Sequence, residues 1–147
     1  MATLSVGERH AVTKTIAEAD VYSYAGIVGD FHPNHVDAVY AEKHLGARVA
    51  HGALLPGFIS RAAVELIGER LSPPGYAAQT FSIKLIAPVF FGDTITTTVE
   101  VVELNTERRK VRFEAVIANQ EGKTCALGDK VVKVLRSISE EAVEGAR

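Results

Sequence analysis

The chain's 147 residues fit one domain, and a hydrophobic share of 47% is enough to fill a substantial core. A formal net charge of -2 provides no basic footprint, which argues against nucleic acid or an anionic membrane surface as a partner. Cys125 is the single cysteine, so no intramolecular disulfide is available, and no Cys/His spacing for structural zinc occurs.

In chain order, residues 1–14 are mixed, with a turn at Val6-Gly7 and a strand expected around His10-Ala11-Val12. No basic segment followed by an apolar run opens the chain, and no apolar stretch reaches the roughly 18 residues of a bilayer span. The expectation is a soluble, untargeted, cytoplasmic protein. Thr15 and Glu18 have capping-box spacing and predict a helix through Val21, Tyr22, Tyr24, Ala25 and Val28 that stops at Gly29 and delivers Asp30. Pro33 fixes its own φ and biases His32 toward extended backbone, so Asp30 to His35 should turn rather than run as one helix. Asn34 is then placed to cap a helix from His35 to about Leu45, with Gly46 as its stop. In that first turn the unpaired N–H groups disfavour the imidazolium, which predicts a neutral His35 able to accept a proton near pH 7.

After Arg48-Val49-Ala50-His51-Gly52 comes the longest apolar segment, about Ala53 to Leu71, with Leu54, Leu55, Phe58, Ile59, Ala62, Ala63, Val64, Leu66 and Ile67 around most of a helix. A helix apolar nearly all round must be surrounded. Pro56 is tolerated only in the first turn, which puts the helix start nearer Leu55 than Ala53.

Beyond the Ser72-Pro73-Pro74-Gly75 break the pattern changes to strands: Phe81 to Leu85, Thr94 to Leu104, Val111 to Ala115 and Cys125 to Leu135. Gly92-Asp93 and Gln120-Glu121-Gly122 mark turns, and Arg108-Arg109-Lys110 reads as a solvated hairpin end. Cys125 reads as a packed thiol. The expected domain is residues 1–136, followed by a frayed polar tail over 137–147. Four or more antiparallel strands in a meander with one apolar helix give an α+β chain in which the sheet curls around the helix, the hot-dog architecture. One copy leaves a sheet edge open, which predicts a homodimer or a higher homo-oligomer.

The chemistry concentrates at Asp30 and His35, a carboxylate and an imidazole five residues apart around Pro33, an acid/base pair that a turn can aim at one substrate. Tyr24 through His35, then Asp37, Tyr40 and Ala41, Ala50-His51-Gly52, Phe81-Ser82-Ile83-Lys84 and Ala87 through Thr94 together resemble the MaoC-like (R)-specific enoyl-CoA hydratases. The resemblance implies reversible hydration of a trans-2-enoyl thioester to an (R)-3-hydroxyacyl thioester, with no cofactor and no metal. It implies that Asp30 and His35 hold the water, and that the Gly52 N–H faces the thioester oxygen, where a helix N-terminus supplies a donor without a charged side chain. It also carries over Ser60 as a residue lining the site. The chain departs from the pattern at His32, where Asn is usual, and at Asn34, where an aliphatic residue is usual.

His51 reads as structural, holding the loop before the helix through a hydrogen bond, and a metal set from Asp30, His32, His35 and His51 is the competing reading of the same residues. Leu55, Ile59, Ala63 and Val89 are the residues expected along an acyl tunnel. The alternatives are a hot-dog thioesterase, a dehydratase acting on acyl carrier protein, and a catalytically dead thioester binder, because the fold alone does not choose among them.

Overall fold

Alternation in the second half of the chain builds the sheet. The computed structural model describes residues 4–137. Its strands are β1 (Arg9–Thr15), β2 (Tyr76–Leu85), β3 (Thr94–Asn105), β4 (Lys110–Ala118) and β5 (Thr124–Val134). They form one antiparallel sheet in the order β1-β3-β4-β5-β2. The expected meander therefore holds for β3, β4 and β5 only. β2 pairs with β5 at the far edge, and the segment after it carries the chain back across the sheet, bridging Phe90 to Val49 on the way.

Every second residue of β3 and β4 is buried: Ile95, Thr97, Val99 and Val101, then Val111, Phe113, Ala115 and Ile117. Against this face lies α4 (Leu55–Ala63), whose Leu55, Ile59, Ala62 and Ala63 are buried. Each large side chain in this layer contributes about 1.5–3 kcal/mol by leaving water. Helix and sheet touch closely at Gly128, where a Cβ would stand 2.5 Å from Ile59 Cδ1. The curled sheet around a central helix is the hot-dog fold, and none of the helices among the described residues is long and apolar enough to cross a membrane.

The long helix differs from its sequence reading. A 3-10 turn, Gly52–Leu54, precedes α4, and a π turn, Val64–Gly68, replaces its last stretch. Gly68 sits so close to the preceding turn that a Cβ would be 2.7 Å from Val64 Cγ2. Nor is the helix enclosed all round within one chain, because Val64 is half exposed.

The excursion between β1 and α4 is also rearranged. Thr15 ends β1, its hydroxyl paired with that of Thr94 at 2.7 Å, so the cap of α1 (Glu18–Val28) moves to Ala17, whose N–H donates to Asp20 Oδ2 at 2.8 Å. Gly29 ends α1 with φ 81°, as its place in the sequence predicts. The single helix expected from His35 to Leu45 is two, α2 (Pro33–Val36) and α3 (Ala38–Leu45). They part at Asp37, whose carboxylate accepts from the Tyr40 N–H at 3.0 Å and caps α3. Asn34 is not the cap of α2: His32 is, its Nδ1 accepting from the Asn34 N–H at 3.1 Å.

Asp93 organises the return to the sheet, accepting from the Phe90 N–H at 2.8 Å and from Gln120 Nε2 at 2.9 Å. Arg108 and Arg109 lie in the β3–β4 turn. Cys125 is free and buried, and burial pushes its thiol pKa up, which suits a packing role. The tail expected to fray lies outside the described residues beyond Ser137.

Candidate active site

Asp30 leaves α1 just past the left-handed Gly29, and its side chain accepts from the His32 N–H at 3.2 Å, an Asx turn that bends the chain into α2. Pro33 at the first position of α2 then sets His35 on that short helix. His35 Nδ1 lies 2.7 Å from the Val49 carbonyl oxygen. A carbonyl only accepts, so Nδ1 carries the proton, and in the neutral ring the lone pair is on Nε2.

His51 comes from the other side of the site, immediately before the helix start. It is 2% exposed, and its Nε2 donates to the backbone oxygen of Asp30 at 2.8 Å. Its Nδ1 is buried without a hydrogen-bond partner. The rings of His35 and His51 stack with centroids 3.8 Å apart and planes 25° apart, while Tyr24 packs on His51 at 4.9 Å. His51 thus fixes the Asp30 backbone and backs the His35 ring from one position.

Asp30, His35 and His51 each place one carboxylate oxygen or ring nitrogen within 4.8 Å of the others. Each ring already spends one nitrogen on a backbone carbonyl, and stacked rings aim their in-plane lone pairs along parallel planes, which suits a hydrogen-bonded cluster better than a converging metal shell. His32 stands apart, its ring 6.3 Å from that of His35 and its Nδ1 occupied by the cap.

A cavity of about 340 Å³ opens in front of His35, lined also by Gly52, Leu55, Leu85, Pro88 and Val89. Gly52 starts the 3-10 turn, where the first N–H groups lack an intrahelical acceptor. A Cβ on Gly52 would meet Leu85 Cδ1 at 2.3 Å, so glycine lets this backbone approach the cavity wall. Of the four residues expected along a tunnel, Leu55 and Val89 line this cavity, whereas Ile59 and Ala63 face the sheet, 1% and 0% exposed.

Ser60 is not in this cavity. It lines a second one further along α4 and accepts a hydrogen bond from Lys130 Nζ at 3.1 Å. Lys130 escapes a reading by motif, although its place in the alternation Ala126, Gly128, Lys130, Val132 puts a lysine at an inward position of β5. Tyr24, against His51, is a second contact that spacing alone does not reveal.

The chain resembles known proteins over most of its length. Residues 5–123 match the family model described as MaoC like domain. The chain is 39% identical over 127 residues, 86% of this chain and 80% of the relative, to an (R)-specific enoyl-CoA hydratase of Rhodospirillum rubrum. A 3-hydroxybutyryl-CoA dehydratase of Methylorubrum extorquens is 38% identical over 88% of this chain and 75% of its own length. Among solved structures, the (R)-hydratase from A. caviae involved in PHA biosynthesis superposes with a TM-score of 0.81 at 28% identity, covering 92% of this chain and 100% of that one. With the matching family model spanning most of the sequence and the hot-dog sheet in place, this chain belongs to the MaoC-like domain family.

Proposed function

We propose that the protein is an (R)-specific enoyl-CoA hydratase, adding water to a trans-2-enoyl-CoA to give the (R)-3-hydroxyacyl-CoA and catalysing the reverse dehydration. One observation supports this above the others: an Asp30 carboxylate oxygen and a His35 ring nitrogen lie within 4.8 Å of each other, and His35 lines the same cavity as Gly52. Two hydrogen bonds of about 2.8 Å to one water span that gap.

The water donates one proton toward the Asp30 carboxylate and one toward His35 Nε2. As its oxygen bonds to Cβ, the pair takes one proton and returns one to Cα, so the water divides into the new hydroxyl and the new C–H with nothing left over. Charge that moves onto the thioester oxygen meets the Gly52 N–H, a preorganised donor at the start of the helix. His51 is a positioning residue, acting through the Asp30 backbone and the His35 ring.

The active species is a homodimer joined along β2. That edge strand exposes two large apolar side chains, Phe81 at 48% and Leu85 at 53%, whereas none of the exposed large hydrophobics lies on the opposite edge, β1. The unpaired Cys125 fits a reducing, cytoplasmic setting.

The test is the enoyl-thioester absorbance of crotonyl-CoA with purified protein, run beside an assay for free thiol. Loss of absorbance without thiol release, with (R)-3-hydroxybutyryl-CoA as product, is the expected result. Thiol release in step with substrate loss would instead establish a thioesterase and overturn the assignment.

A further inference from the structure

One buried charge is unused by the chemistry above. Lys130 is 2% exposed, and the described residues bury no other Lys, Arg, Asp or Glu. Its Nζ donates to Ser60 Oγ at 3.1 Å and lies 5.0 Å and 5.8 Å from the ring centroids of Phe81 and Tyr76. None of the ion pairs among the described residues includes it. An ammonium has three N–H donors, so one goes to Ser60 and the rest find aromatic faces or the cavity. Desolvation without a countercharge pushes its pKa down, and the cost is removed when a ligand brings an anion.

The cavity that receives this side chain holds about 540 Å³ and is lined also by Ser60, Arg61, Val64, Ser72 and Tyr76. Two independent routes measure its distance from the first cavity. Along the helix, Ser60 follows Gly52 by eight residues, about 12 Å of rise. Along β2, Phe81 beside Lys130 precedes Leu85 beside Gly52 by four residues, about 13 Å of strand. An extended chain advances about 1.2 Å per atom, since a residue of three backbone atoms spans about 3.3–3.6 Å, so the gap corresponds to about ten chain atoms.

We propose that Lys130 and Ser60 bind a carboxylate at the far end of the acyl chain, which makes the substrate class a dicarboxylic enoyl-CoA of about ten carbons. The proposal rests on the hydratase reading and adds a second anchor to it. A desolvated ammonium beside two aromatic rings, with one donor already on Ser60, suits a single small carboxylate at the end of an apolar chain better than the several hydrated phosphates of the carrier.

The experiment compares kcat/KM for trans-2-decenedioyl-CoA and trans-2-decenoyl-CoA, in the wild-type protein and in Lys130→Met, with crotonyl-CoA as a third substrate. The expected result is at least a tenfold preference for the diacid in the wild type and its loss in Lys130→Met, with most of the change in KM. If Lys130→Met does not fold, the wild-type preference still decides, together with a larger thermal upshift from saturated ω-carboxynonanoyl-CoA than from decanoyl-CoA. Hydration of crotonyl-CoA without a preference for the diacid overturns this proposal alone. A variant that loses both ten-carbon substrates equally does the same, because the contribution of Lys130 then does not depend on the terminal carboxylate. Silence with all three substrates overturns the hydratase reading as well.

Discussion

His35 and His51 are packed ring against ring, yet their hydrogen bonds give them different work. His35 donates through Nδ1 to Val49, which leaves Nε2 for the proposed chemistry, whereas His51 is sealed and donates to the Asp30 backbone. The Asp30 and His35 pair is legible in the sequence because one proline-containing turn holds both. The His51 contact to Asp30 spans 21 residues and the Lys130 contact to Ser60 spans 70, so only the folded chain brings them together. Lys130 also carries a pH signature. Its folded pKa lies below the 10.5 of a free lysine, so between those two values the unfolded chain binds more protons and stability rises with pH. Measured by urea midpoints from about pH 7 upward, wild type should gain stability relative to Lys130→Met as pH climbs through that window, with the full desolvation cost felt below it. A difference that stays flat with pH would show that the ammonium is solvated.

At the scale of elements, the strands were the readable part, because alternation and turn residues are local, and the caps were the least readable. Thr15 has the right neighbours for a helix cap, but its hydroxyl is claimed by Thr94 across the sheet, and a sequence pattern cannot weigh that competition. His32 likewise replaces the expected Asn34 because Pro33, with no N–H to offer, takes the first helical position and shifts the cap back. The helix–sheet contact depends on Gly128, which leaves room for Ile59. Gly128→Ala should cost about 1–3 kcal/mol by overpacking. Ile59→Val, which removes the clashing methyl, should return part of that loss, giving a coupling of at least about 0.5 kcal/mol in a double-mutant cycle of urea midpoints. Strict additivity would mean that the helix shifts bodily and the two side chains do not oppose each other.

For the whole molecule, a curled sheet around a helix followed from composition and period, while the placement of β2 beside β5 required the fold itself. That placement leaves the ten-residue strand β2 at the edge, with Phe81 and Leu85 exposed. Gln79 occupies the irregularity of this strand, between Ala78 paired with Val132 and Thr80 paired with Val131. Gln79→Pro should therefore leave the β5 ladder intact and block a strand from a second copy. Light scattering should give twice the 15.8 kDa chain for the wild type and the single chain for this variant at unchanged far-UV circular dichroism. A dimeric Gln79→Pro would move the interface elsewhere. The function of the assembly, however, is staked on two side chains acting on one water. The most direct measurement is kcat for hydration of crotonyl-CoA by wild type, Asp30→Asn, His35→Gln and the double variant, with melting temperatures taken alongside. Each single change should lower kcat by about 10²- to 10⁴-fold, and the double should fall little further because the residues act as a unit. Near-normal rates in either single variant, or losses that multiply in the double, would contradict a shared water.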